Sequence, residues 1–190
     1  MMPKRQVGGV GGVWGATWAV LAVALLAGSA QARAVGDVRM PDAISLQGQE
    51  IALDHMALKK KLFFELYVWG LYLEQKPGST KEAISFKGPK QLQLHFKRGI
   101  SRNQLADAFR GFLAQSRAVM NSADMKRQSE QLVQSLRAVS KGDSLLITYL
   151  PEEGLRVSGE GSRGATIPGK AFADALFDAW LQENPIYDRE

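Results

Sequence analysis

The sequence predicts an α+β fold, an antiparallel sheet with helices packed on one face. Three observations carry that expectation. The run from Leu62 to Glu74 holds five aromatic residues and, read as a strand, turns Leu62, Phe64, Leu66, Val68, Gly70 and Tyr72 to one face and Phe63, Glu65, Tyr67, Trp69, Leu71 and Leu73 to the other. Both faces are largely apolar, so such a strand must be covered twice. Residues 91–97 alternate, with Leu92, Leu94 and Phe96 on one side and Gln91, Gln93, His95 and Lys97 on the other, the pattern of a half-buried strand. Finally, the elements run as strands, two consecutive helices, a hairpin and a last helix, which is not the βαβαβ alternation of a doubly wound sheet.

An export segment precedes the domain. Lys4 and Arg5 are followed by an apolar run over residues 13–28 and by Ala30-Gln31-Ala32, a small-x-small pattern that favours cleavage after Ala32, with Ala32-Arg33-Ala34 the second choice. Gly15 and Thr17 interrupt the run, which is short for a membrane span. The expected organisation is a signal peptide over residues 1–32, a small polar lead-in over 33–43 that need not be ordered, and one domain over 44–187. The mature protein is expected in the periplasm or outside the cell, without a membrane span.

Within the domain, short strands at 44–46 and 51–53 turn at Gly48. Lys59, Lys60 and Lys61 then lead into the long aromatic strand, in which Gly70 is the natural place for a bend or bulge. Pro77-Gly78 closes it, and Thr80 to Ala83 make at most a helical turn. Ser101 to Gln104 has capping-box form and opens a helix to about Val119, with Leu105, Ala108, Phe109, Phe112 and Leu113 on one stripe. Ser122 caps a second helix through Met125, Leu132, Val133, Leu136 and Val139. A strand at 145–150 turns through 151–154 into a partner at 155–158. A glycine-rich stretch reaches Pro168-Gly169, and Phe172, Ala175, Leu176, Ala179 and Trp180 mark the closing helix.

Charge and composition exclude several functions. The net charge of +5 falls to +3 once Lys4 and Arg5 leave with residues 1–32. The remaining basic residues are spread along the chain, so nothing points to nucleic acid. Without cysteine there is no thiol chemistry and no thiolate-held metal. His95 sits on the polar face of its strand and His55 near a turn, and two histidines without a cysteine give a metal site little support; no cofactor is expected. Gly159 to Gly164 matches G-x-G-x-x-G literally, but no helix opens directly after it; Gly164 to Lys170 nearly matches a P-loop, but Ala171 replaces the Mg²⁺-holding Ser or Thr. Both read as loop punctuation.

Three segments together resemble the chalcone isomerase-like family, in particular its exported bacterial members. They are the aromatic run 61–73, the strand-to-helix junction Leu92 to Ser101 with its arginine, and the closing segment Gly169 to Pro185 with its Trp-Leu-x-x-x-Pro ending. The resemblance implies an open-faced β-sandwich, a long antiparallel sheet with a helical layer, and an apolar ligand cleft between the layers. It also implies how this chain departs from chalcone isomerases. Lys59 stands at their arginine position and Tyr67 at a threonine position, while a tyrosine and an asparagine fall near Leu105 and Phe112, which cannot donate a hydrogen bond. The sequence is therefore similar rather to non-catalytic relatives that bind fatty acids.

Arg98 is the leading candidate for a ligand-binding residue. It falls in phase with Leu92, Leu94 and Phe96, so a strand longer by one residue would aim its guanidinium at the core beside the helix start at Ser101, a grip for a carboxylate. An ion pair with an acid such as Asp107, or plain exposure, is the structural alternative. Lys59 and Lys61 could serve the same anion, although edge lysines are more often simply solvated. Tyr67 and Tyr72 fall on opposite faces, so only one can line a given cleft. The expected ligand is a fatty acid or similar apolar anion, bound without catalysis. Two alternatives stand beside this: an isomerase or intramolecular lyase acting on an enone through Lys59, Arg98 and Tyr67 or Tyr72, and a module whose surface binds another envelope protein. No particular protein partner is indicated.

Overall fold

A computed structural model describes residues 31–186. The expected signal peptide thus lies outside the described residues except for Gln31 and Ala32, as does Tyr187 at the expected end of the domain.

Seven strands form one antiparallel sheet in the order of the chain: β3 (Ala43–Leu46), β4 (Gln49–Lys61), β5 (Phe64–Leu73), β6 (Lys90–Phe96), β7 (Ser144–Leu150), β8 (Gly154–Ser158) and β9 (Ala165–Ile167). The expected α+β class and long antiparallel sheet are what is found. Helix α1 (Thr80–Ser85) joins β5 to β6, α2 (Arg102–Leu113), α3 (Arg117–Met120) and α4 (Ala123–Ser135) join β6 to β7, and α5 (Lys170–Glu183) follows β9.

The capping box at Ser101 forms: its hydroxyl accepts from the Gln104 N–H while the Gln104 side chain accepts from the Ser101 N–H. Helix α2 stops at Leu113, short of Val119, because Ser116 caps a separate turn, α3, before Ser122 caps α4. On α2, Ala106 rather than Ala108 joins the buried stripe. The helices cover one face of the sheet, where Trp69, Leu71 and Leu73 of β5 pack with Leu92, Leu94 and Phe96 of β6 against Phe109, Phe112, Leu132, Leu176 and Trp180.

The opposite face is covered by residues read from the sequence as a loose lead-in. They form a hairpin, β1 (Ala32–Val35) with β2 (Val38–Pro41), turning at Gly36. Val38 and Met40 sink from β2 into a second core with Ile51, Leu53, Val68 and Tyr72. Small residues and Pro41 concealed a strand pair whose buried residues are only two. The two-sided cover that the aromatic strand demanded is therefore met by helices on one side and a hairpin on the other.

A second correction concerns the long strand itself. Lys59 to Lys61 do not precede it but end β4, and the chain reverses at Leu62-Phe63 before β5. Neither residue is a usual turn former, and Leu62 sits at φ 55°, so the reversal carries no sequence mark. The sequence pattern ends β4 at Leu53, whereas the strand continues to Lys61. A bulge lies at that point: Leu53 pairs with Tyr72 and His55 with Leu71, leaving Asp54 extra. Ile51 and Leu53 therefore share a face with Met56 and Leu58, while His55, Ala57 and Lys59 turn to the helices. Gly70, expected to bulge, stays in register with Met56 and Gln93. Its role is close approach, since a Cβ there would lie 2.7 Å from the Met40 sulfur.

Candidate ligand site

The bulge decides which side chains reach the helical layer. Lys59 and Tyr67 become partners across the β4–β5 ladder, both on the helix-facing side. Above them lies the end of α5, whose last turn carries no basic residue of its own. Lys59 supplies the missing charge: its Nζ donates to Asn184 Oδ1 at 3.0 Å and lies 3.5 Å from the Glu183 carbonyl. A cation at the negative end of a helix dipole is a stabilising arrangement. Asn184 in turn donates its side-chain N–H to the Trp180 carbonyl at 3.0 Å.

Around this junction the aromatic rings interlock. Trp180 stands 6.0 Å from Tyr67, 5.9 Å from Trp69 and 5.9 Å from Phe112, with Phe96 6.0 Å beyond Tyr67 and His55 5.1 Å from Trp69. The Tyr67–Phe96, Trp69–Trp180 and Phe112–Trp180 contacts are edge-to-face and add to what burial alone provides, while the other two pairs are tilted. Burial, aided by the Glu183 charge, pushes the Tyr67 phenol far above its ordinary pKa, so it remains a neutral hydroxyl at any physiological pH. Burial likewise lowers the pKa of the His55 imidazole. The Trp180 indole N–H is buried and finds no acceptor among the described residues. An unsatisfied buried donor costs about 1–3 kcal/mol.

Lys59, Tyr67 and Trp180, which carry an ammonium, a phenol and an unanswered indole N–H, are thus neighbours in one region walled by rings. Three donors suit an anionic or carbonyl oxygen, and the rings suit an apolar remainder. Carboxylates are sparse: Glu183 at the end of α5 is the acid whose charge reaches Tyr67, and Gln115 takes its side chain at 3.2 Å.

The other sequence candidates fall elsewhere. Arg98 does not enter the core; it is exposed, and its guanidinium lies 4.7 Å over the ring of Phe64. The strand ends at Phe96, and Lys97 and Arg98 lie in a bend, so the in-phase extension does not occur. Lys61 is exposed beside the turn. Tyr72 is on the opposite face, as the alternation requires, where its hydroxyl donates to the Pro41 carbonyl at 3.0 Å; burial and the Asp42 charge push its pKa up to about 12. It ties the β1–β2 hairpin to the sheet. Leu105 and Phe112 are buried and apolar.

The open cleft implied by the resemblance is filled instead by Trp69, Phe96, Phe109, Phe112 and Trp180, all at most 6% exposed. A hollow of about 340 Å³ lies away from this cluster, among Arg110, Leu113, Val119, Met120, Lys126 and Glu130 of α2, α3 and α4. Sequence reading missed Trp180 and Asn184 as site residues, having used Trp180 only as a core marker. The signal was available: an Asn-Pro pair directly after a helix whose last turn lacks a cation.

A seven-stranded antiparallel sheet with one helical face is the architecture of an open-faced β-sandwich, and comparison with known proteins gives it a family. The family model described as chalcone isomerase-like matches residues 32–189, and the chain belongs to that family. Among solved structures it is similar to a fatty-acid binding protein of Arabidopsis thaliana, with a TM-score of 0.60 at 13% identity over 82% of this chain and 91% of that one. At that identity the likeness is one of fold. No curated protein matches the sequence.

Proposed function

We propose that this protein is a non-catalytic binder of a fatty acid or similar apolar anion, with the head group held by Lys59, Tyr67 and Trp180 and the chain among the rings between sheet and helices. The observation that carries the reading is the buried Trp180 indole N–H without an acceptor, on a ring 6.0 Å from that of Tyr67, the ladder partner of Lys59. The fatty-acid binding function of the Arabidopsis structural neighbour supports the ligand class. Entry of the chain requires the rings that fill the space between sheet and helices to part, and with them the Lys59–Asn184 hydrogen bond at the C-terminal turn of α5. Catalysis of the chalcone isomerase type is disfavoured by Leu105 and Phe112, buried side chains without a donor where that chemistry uses hydroxyl and amide groups.

The test is native mass spectrometry of the protein as purified from cells, followed by lipid extraction and readdition of palmitate. A co-purifying acyl anion, or stoichiometric uptake of palmitate, is expected; a protein that is empty and refuses palmitate overturns the reading. We further propose export to the periplasm or cell exterior, on the strength of Lys4, Arg5, the apolar run and Ala30-Gln31-Ala32. Within the fold, cleavage after Ala32 keeps Arg33, which meets Asp42 at 3.4 Å and donates to the Asp54 carbonyl at 3.1 Å; cleavage after Ala34 removes most of β1. Intact mass of the secreted or periplasmic fraction should give Arg33 as the first residue, and an unprocessed cytoplasmic chain overturns it.

A further inference from the structure

The tip of the β4–β5 hairpin is built against the usual rules for a turn. Leu62 is 83% exposed, Phe63 97% and Phe64 56%, three consecutive large apolar residues in water at the end of the two longest strands. Leu62 also occupies the left-handed region, φ 55°, where glycine or asparagine is at home and a leucine costs about 1–2 kcal/mol. A soluble turn needs neither the grease nor the strain, and backbone outliers that persist at exposed positions point to function.

The charges around the tip have one sign in excess. Lys60 and Lys61 stand immediately before it on β4, and Lys97 and Arg98 lie alongside at the end of β6. Lys60 and Lys97 share Glu65, each at 3.5 Å, and Lys97 also meets Asp37. Lys61 and Arg98 have no acidic partner among the described residues, and Arg98 instead lies over the exposed Phe64 ring. An apolar point collared by unpaired cations matches one surface closely. In a bilayer carrying anionic lipid, side chains such as Leu and Phe enter the acyl boundary while lysines and arginines reach up to the phosphates. The buried centre of a protein–protein interface, by contrast, is depleted in lysine.

We propose that Leu62, Phe63 and Phe64 insert into the surface of an anionic lipid bilayer, with Lys61 and Arg98 on the headgroup phosphates. The protein docks peripherally, by a hairpin tip rather than a spanning helix. Tyr67 follows Phe63 by four strand residues, about 13 Å, so docking also brings the Lys59–Tyr67 junction close to the lipid. Docking by the tip is independent of what that junction binds.

Co-sedimentation with vesicles tests it, using protein purified as the cell leaves it and with its N-terminus fixed by intact mass, the same in every variant. Vesicles of phosphatidylcholine are compared with vesicles in which part is replaced by phosphatidylglycerol. Wild type should pellet with the anionic vesicles, weakly with the neutral ones, and be released by salt. The L62S/F63S double variant should keep its melting curve and lose about tenfold in vesicle affinity, and K61Q/R98Q should lose the preference for anionic lipid. Wild type that ignores both vesicles, or L62S/F63S that binds as well as wild type, overturns the proposal. So does an oligomer in vesicle-free solution that L62S/F63S converts to monomer, since a second copy then covers the tip.

Discussion

Lys59 and Tyr67 face each other across the β4–β5 ladder, and Lys59 bridges from there to Asn184 at 3.0 Å, joining the sheet to the end of α5. That single bridge makes the last turn of α5 both the cap of the fold and the door of the proposed site.

Lys59→Met should therefore destabilise the fold by about 1 kcal/mol, through the lost hydrogen bond and helix-end charge. Lys59→Arg, which keeps the charge, should recover most of it. Denaturant melts of the three proteins read the difference, and hydrogen exchange should show the loss concentrated at residues 180–186.

Lys90 gives a pH dependence of unusual sign. It is fully buried at the start of β6, donating to the Ile84 carbonyl and, at 3.2 Å, to Asp174, with the Phe177 ring centroid 4.8 Å away. Burial, only partly offset by Asp174, pulls its pKa from the ordinary 10.5 down to about 8. Below pH 8 both folded and unfolded chains hold the proton; between 8 and 10.5 the unfolded chain binds more, so stability rises with pH. Ionisation of tyrosines in the unfolded chain opposes this above about pH 10. Relative to Lys90→Met, wild type should gain on the order of 2 kcal/mol between pH 7.5 and 10, measured by paired denaturant melts. A difference that is flat with pH contradicts it.

Gly154→Ala should be among the most damaging single changes. Gly154 has φ 92°, and a Cβ there would lie 2.3 Å from the Ile167 carbonyl oxygen and 2.8 Å from the Pro168 Cα, both backbone atoms with nowhere to go. A loss of about 3 kcal/mol or more is expected, read as a lowered melting midpoint or loss of soluble protein.

Leu62→Gly should act in the opposite direction, raising stability by about 0.5–1 kcal/mol by relieving the left-handed leucine, after allowance for the freer unfolded chain. If the tip docks on lipid, the same change weakens vesicle binding. A variant that is both more stable and less able to bind separates strain kept for function from strain without consequence.

Much of the architecture was legible before the structure. The two-sided aromatic run, the alternation of Leu92, Leu94 and Phe96, the capping box at Ser101 and the closing helix all appear where pattern places them, because each is set by local period or local capping. What pattern could not show were features that break it. Asp54 shifts the phase of β4 by one residue, and Leu62-Phe63 make a turn from residues that favour strands, so pattern cuts β4 short at Leu53 and counts the turn into the next strand. Arg98 was assigned inward by a phase that ends at Phe96. Lys59 and Tyr67 were named, but their meeting depends on the bulge, and their third partner, Trp180, comes from residues more than a hundred positions away.

In a chain cleaved after Ala32, as proposed, Trp69 and Trp180 are the only tryptophans, and both stand in the aromatic cluster, so intrinsic emission reports the proposed site directly. Titration of the processed protein with palmitate, followed by that emission and by calorimetry, tests the central claim. The account predicts a saturable change at one ligand per chain, weakened about tenfold in Tyr67→Phe combined with Lys59→Met. Emission and heat that do not change with palmitate, or a double variant that binds as wild type does, would contradict it.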